Sequence, residues 1–289
     1  ALSVPLFLGF VLWEGYVSRD PILPFALLRN WLFSASLTAS VLQGIAIFAT
    51  NFLLMVYFQG IRGVSVLTAA YLLVPLSVAL GIAGPIGGRL SDRFGARVIS
   101  TTGLLIQATA LFGLSTIVGG TSLWTVAAWE AVMGTGGGLF FPANTAAIMG
   151  GVPRERYGVA SGVMMTLRNS SMALSFAVAL IALTSQLPSG TAAVLFGGSF
   201  TPQVLAQIGK TPTELQAVFL QGMTTAFRVS ASLVLVAALF SILRGKERRA
   251  SQSVPGRRFA LPKALAGRRP VPSPIDTSPV PSSDGSSDG

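Results

Sequence analysis

Apolar runs of about twenty residues or more recur along the chain, separated by short polar turns. Each run is long enough to cross ~30 Å of hydrocarbon as a helix. Six complete spans are predicted, over 33–58, 66–88, 98–118, 122–149, 157–185 and 218–243. The runs are solid rather than alternating, which excludes a transmembrane β-barrel. The chain opens with one more apolar stretch, ALSVPLFLGFVLW, which reaches only ~20 Å as a helix and is too short to span. The expected organisation is the end of a truncated transmembrane helix (1–13), a cytoplasmic linker (14–32), a six-helix transmembrane unit (33–243) and a tail (244–289). The tail is first basic and then rich in Pro, Ser and Asp, so it cannot bury enough apolar surface to fold and is expected to be disordered.

Within the long loop 186–217, Thr201 is placed to cap a short helix that Pro202 opens and Gly209 ends. The TPTE stretch then starts the last span, with Thr211 as cap, Pro212 at the first helical position and Glu214 as capping-box partner.

Composition agrees with the pattern. Charged residues are 10% of the chain, against roughly a quarter in a typical soluble domain. The 20 Lys and Arg residues fix an orientation. Sixteen of them fall in 14–32, 89–97, 150–156 and the tail, and only Arg62 and Lys210 lie in the opposite set of turns. The first set is therefore expected to face the cytoplasm, in a multi-pass protein of the cell membrane with a cytoplasmic C-terminus. The basic tail is explained by this bias and by anionic lipid head groups, without any nucleic-acid partner. Cys and His are both absent, which removes disulfides, thiolate metal sites, Cys nucleophiles and His bases. No catalytic pair remains, so an enzyme is not expected, and no cofactor is implied.

One turn stands out. In GGRLSDRFGAR, residues 87–97, four charged side chains are packed between two apolar spans. Topology alone explains Arg89, Arg93 and Arg97. It does not explain Gly88 and Gly95, which permit close approach or a left-handed turn, nor Asp92, which can accept from a helix N-terminus or pair with Arg. The run Gly88-Arg89-Leu90-Ser91-Asp92-Arg93-Phe94-Gly95-Ala96-Arg97 resembles the signature loop of the major facilitator superfamily, with Ala96 where a basic residue is common. Family members carry that loop between the second and third helices of a six-helix half. WEGYVSRDPILPFALLRNWLF and GTGGGLFFPANTAAIMGGVPRERYGVASG resemble the fourteen-span drug:proton antiporter branch. The resemblance implies an all-α polytopic fold, in which 33–243 is the C-terminal six-helix half and 1–13 the end of a preceding linker helix. It also implies a missing N-terminal six-helix half as partner, and a gating role for Gly88, Arg89, Asp92, Arg93, Gly95 and Arg97.

Ionisable residues inside spans are functional candidates, because a charge in the bilayer is costly. Glu130 lies about eight residues, or ~12 Å, into its helix and is the only acidic residue deep in a span. It suits proton exchange or attraction of a cationic substrate, or else serves as a polar anchor between helices. Arg168, beside Asn169, Ser170 and Ser171, is placed to line a cavity or to bond a neighbouring helix. Arg228 is positioned to pair with Glu130 or to bond backbone carbonyls. Asn144, beside Pro142 in the Gly-rich helix, joins Glu130, Arg168, Asn169 and Arg228 as a candidate for the substrate or proton pathway. Gly134 with Gly138, and Gly84 with Gly88, have the spacing of close helix packing. Pro85 and Pro142 are expected to kink their helices.

Two phosphate-loop look-alikes fail. Leu139 stands where the third Gly of a dinucleotide fingerprint belongs, and Val204 where the first Gly of an ATP loop would precede Gly209-Lys210-Thr211. With no ATP site, the expectation is a secondary transporter. It would export drugs or other small amphipathic molecules in exchange for protons, by alternating access. The alternatives are an uptake or metabolite permease of the same superfamily, or a non-transporting receptor or scaffold. The expected partners are the small-molecule substrate, protons and membrane lipids.

Overall fold

The computed structural model describes residues 25–184 and 212–245. The expectations for residues 1–24, for Thr201, Pro202, Gly209 and Thr211, and for the tail beyond Gly245 lie outside them. Six long helices run through the described residues: α1 (Trp31–Val56), α2 (Val66–Phe94), α3 (Ala96–Leu114), α4 (Leu123–Gly150), α5 (Tyr157–Thr184) and α6 (Pro212–Leu243). A single helical turn, Phe25–Leu28, precedes α1, and a π-helical turn, Tyr57–Ile61, ends it.

Local chemistry sets the ends. Asn30 caps α1 by accepting from the Leu32 amide at 3.1 Å, and Ser65 caps α2 through the Thr68 amide at 3.2 Å. Pro212 stands at the first position of α6, where its missing N–H has no helical partner to lose. The largest departure from expectation is the turn predicted over 89–97. α2 continues as a helix through all its charges to Phe94, and the reversal is made by Gly95 alone, at φ +93°. Between Gly88 and Gly95 the sequence has no helix breaker, and charged residues are good enough helix formers once outside hydrocarbon. The helix therefore projects ~9 Å further than the apolar run that announces it.

Five of the six are long and apolar enough to cross a membrane, including α1 with its π turn and α5 with the preceding 3-10 turn, Arg154–Arg156. α4 is 28 residues long but is not among them, since its glycines, Glu130, Pro142 and Asn144 lower its hydropathy. Its position accounts for the tolerance. α4 packs against α2, α3 and α1, so protein rather than lipid surrounds much of it. α6 packs on α1, α3 and α5, and α1 on α5.

The α4 seams are backbone against backbone. A Cβ on Gly138 would lie 2.5 Å from the Ala83 Cβ of α2, and one on Gly136 would lie 2.5 Å from the Gly103 carbonyl oxygen of α3. At Gly134 the added carbon would fall on the Leu76 carbonyl. Gly134 and Gly138 thus work as their spacing suggests. Gly84 and Gly88 do not: nothing lies within 4 Å of a Cβ at Gly84, and only Pro142 Cβ, at 3.9 Å, near one at Gly88. The α2 glycine that meets α4 is Gly87, whose Cβ would lie 2.7 Å from the Gly138 carbonyl oxygen. A one-residue offset turns a helix side by about 100°, so the spacing was right and the face was not. Pro85 and Pro142 both sit inside continuous helices.

Candidate functional site

α2 and α5 do not form a packed pair, and a trough of about 450 Å³ lies between them. α1 supplies Ser40, Gln43, Gly44, Ile47, Phe48 and Asn51; α4 supplies Met133, Gly134, Phe141, Asn144 and Thr145. Leu76 and Leu80 of α2 form one wall, and Ser161, Met164, Met165 and Arg168 of α5 the other. Only 17% of the membrane-crossing window of α2 is buried, and 17% of that of α5, against 44–56% for α1, α3 and α6. The walls therefore present open faces, while the bundle interior lies behind α1 and α4.

The lining is apolar with a few amides and hydroxyls, and Arg168 is its only formally charged residue. The Arg168 guanidinium sits 4.9 Å from the ring centroid of Phe141, across the trough on α4, a cation–π contact. Behind the floor, Gln43 donates to the Gln107 side-chain oxygen at 3.3 Å, and Gln107 donates to the Met133 carbonyl at 3.4 Å. These amides join α1, α3 and α4 where a buried polar group needs a partner.

Asn144 is both lining residue and anchor. Its Nδ2 donates to the Ser36 carbonyl at 3.1 Å and to Ser40 Oγ at 2.7 Å. Its Oδ1 accepts from Arg244 at 3.0 Å, and the same guanidinium donates to Ser36 Oγ at 3.3 Å and Ser100 Oγ at 2.9 Å. Ser100 in turn shares a hydrogen bond with Ser241 at 2.8 Å. Arg244 is 3% exposed, and this node ties α1, α3, α4 and α6 together. By sequence Arg244 counts with the basic tail, yet it lies one residue beyond an apolar helix and before Gly245, at φ +86°. That position, the last turn of a helix, is where a cation meets unpaired carbonyls and can fold inward.

The other candidates are dispersed. Glu130 is fully buried on α4, one turn beyond Gly134 and outside the trough lining. Among the described residues neither of its carboxylate oxygens has a hydrogen-bond partner. Of the two alternatives for Arg228, pairing with Glu130 is not seen among the described residues. Arg228 is exposed on α6, in a groove with Gln221, Thr224, Thr225 and the Ile117–Val118 turn, while Glu130 points into the bundle. Asn169 is exposed and does not line the trough, although its neighbour Arg168 does.

The signature turn lies at the node's end of the bundle. Arg89, Asp92 and Arg93 are exposed, Gly88 and Arg97 half-buried, and Arg93 rests 5.4 Å from the Phe94 ring centroid. Behind them Ala96 and Ile99 pack on Ala143 and Ala147 of α4. Among the described residues no ion pair engages Asp92. The opposite end is closed by Arg62, which donates to the Gly119 carbonyl at 2.9 Å and to that of Thr121.

The chain has relatives in sequence among known proteins. The tetracenomycin C resistance and export protein of Streptomyces glaucescens is 24% identical over 302 residues, covering 93% of this chain and 54% of that protein. The methylenomycin A resistance protein of Streptomyces coelicolor is 30% identical over 145 residues, 50% of this chain and 30% of its own length. The lincomycin resistance protein LmrB of Listeria monocytogenes is 28% identical over 174 residues, 60% of this chain and 37% of its own. The chain thus spans about half the length of the first and about a third of the other two. The family model described as Major Facilitator Superfamily matches residues 8–176, more than half of the chain. With its membrane-crossing helices and open trough, this integral multi-pass membrane protein belongs to the major facilitator superfamily.

Proposed function

We propose that the chain is the C-terminal half of a proton-driven exporter of drugs or other small amphipathic molecules. The observation that carries this reading is the trough: apolar, sparsely polar, and open between α2 and α5, where a second six-helix half would complete it. Relatives named for drug resistance and export support the direction of transport and the substrate type. The two halves would rock about the trough at mid-membrane. The Arg-rich Gly95 end and the C-terminus face the cytoplasm, in keeping with the bias of basic residues. There the exposed Arg89, Asp92 and Arg93 contact the other half when the cytoplasmic side is closed, and release it on opening. Glu130, a buried carboxyl with no hydrogen-bond partner among the described residues, is the group suited to exchange a proton.

The test is efflux of a panel of dyes and drugs from cells expressing the full-length gene product, with and without a protonophore. Protonophore-sensitive efflux above the empty-vector control is expected; inward transport, or efflux indifferent to the protonophore, overturns the reading. For Glu130, the Gln substitution should leave stability nearly unchanged, since no hydrogen bond is lost, but flatten the pH dependence of efflux. Wild-type pH dependence in Glu130→Gln removes this carboxyl from the proton path.

A further inference from the structure

We propose that the trough selects aromatic amphiphiles bearing an anionic group, a carboxylate or phenolate, and that Arg168 is the residue that sets this preference. The inference rests on the transport reading above and names its substrate class. Three observations carry it. Arg168 is the only formally charged residue in the lining, and among the described residues no carboxylate forms an ion pair with it. Its guanidinium carbon lies 4.9 Å from the Phe141 ring centroid, and its N–H groups, which form no ion pair among the described residues, can fork onto two oxygens of a ligand. In the same lining, Ser40, Asn51 and Thr145 are neutral polar groups, and Met164 and Met165 add a soft apolar surface that adapts to flat rings.

A ligand in this trough would meet an aromatic face and a guanidinium together. An anionic ring satisfies both, through stacking and a charge-assisted hydrogen bond in a site partly shielded from water. An organic cation would meet the same aromatic face but be repelled by the guanidinium. Glu130, the one buried carboxyl among the described residues, lies outside the lining and cannot offset that repulsion at close range. The plainer role for Arg168, bonding a helix of the other half, would make its substitution destabilising without changing which ligands bind.

Two xanthene dyes of similar skeleton and opposite charge separate these readings: fluorescein, an anion at mildly alkaline pH, and tetramethylrhodamine methyl ester, a cation. Binding is read by fluorescence anisotropy on the full-length gene product purified in detergent. Fluorescein should bind about tenfold or more tightly than the cationic dye, the size expected of one charge-assisted hydrogen bond. Arg168→Gln should remove most of that preference, and Arg168→Lys should keep part of it. Equal affinity or a cationic preference in the wild type overturns the inference, and this outcome needs no variant to fold. So does an Arg168→Gln protein that melts like the wild type and binds fluorescein as well. Uptake into everted vesicles then tests the two readings apart. Fluorescein bound as expected but not pumped leaves the anionic preference standing and removes export; the cationic dye pumped in preference to fluorescein does the reverse.

Discussion

Two clusters at one end of the bundle are both built on arginine, and they make opposite use of it. Around Gly95, the side chains of Arg89, Asp92 and Arg93 are exposed, with no ion pair engaging Asp92 among the described residues. Around Arg244, a guanidinium is buried and donates to Asn144, Ser36 and Ser100. A buried charge stays only where hydrogen bonds hold it, so the second cluster fixes four helices in one arrangement. An exposed charge contributes little to stability, and under the proposed gating role its value lies in what it touches elsewhere. On that reading static and moving functions are separated within a few residues of each other, Ser100 in one cluster and Gly95 in the other.

Substitutions that should affect one cluster and not the other test this separation. The largest effect is expected at Arg244. Arg244→Met keeps length but leaves Asn144 Oδ1 and two serine hydroxyls without their donor, at about 2–4 kcal/mol of stability. Unfolding in detergent measures it, and a variant as stable as the wild type would show that the node binds nothing together. Gly95→Ala comes next. Nothing lies within 4 Å of the added carbon, so the cost is that of φ +93° alone, about 1–3 kcal/mol. A neutral result there would mean that the backbone relaxes freely at the turn. Asp92→Asn should change stability by less than about 0.5 kcal/mol, yet slow both efflux and the exchange between conformations, read by distance measurements between spin labels at the two ends. Unchanged efflux and unchanged exchange would sink the gating role; a large loss of stability would erase the distinction between the clusters.

The helices were readable from sequence because apolar runs of this length have few other fates. The trough was readable in part: Asn144 and Arg168 line it, and each was marked by being polar inside an apolar run. What was not readable depended on rotation and on length. Apolarity stops at the hydrocarbon edge while hydrogen bonding does not, so α2 outran its predicted end at Gly88 and reached Phe94. The face a glycine presents turns by about 100° per residue, which put Gly87 rather than Gly84 and Gly88 against α4. Glu130 and Arg228 looked like partners because both are charged and within spans, but one faces the interior and the other the surface. Arg244 was hidden among nine basic residues beginning at the same position, and only the node distinguishes it from the rest.

The glycine seams have a consequence for how this protein can change over generations. Every other residue is larger than glycine, so any missense change at Gly134, Gly136 or Gly138 adds at least one carbon. Each of those carbons would meet α2 or α3 backbone, joined by Ala83 at Gly138 and Gln107 at Gly136, so no side-chain movement alone would relieve it. The glycine seams of α4 are thus closed to small evolutionary steps, Gly134 in the trough included, whereas lining residues such as Ile47, Met164 and Met165 can be exchanged for others of similar bulk. Change in the trough is steered away from those seams by a helix that has no smaller residue to fall back on.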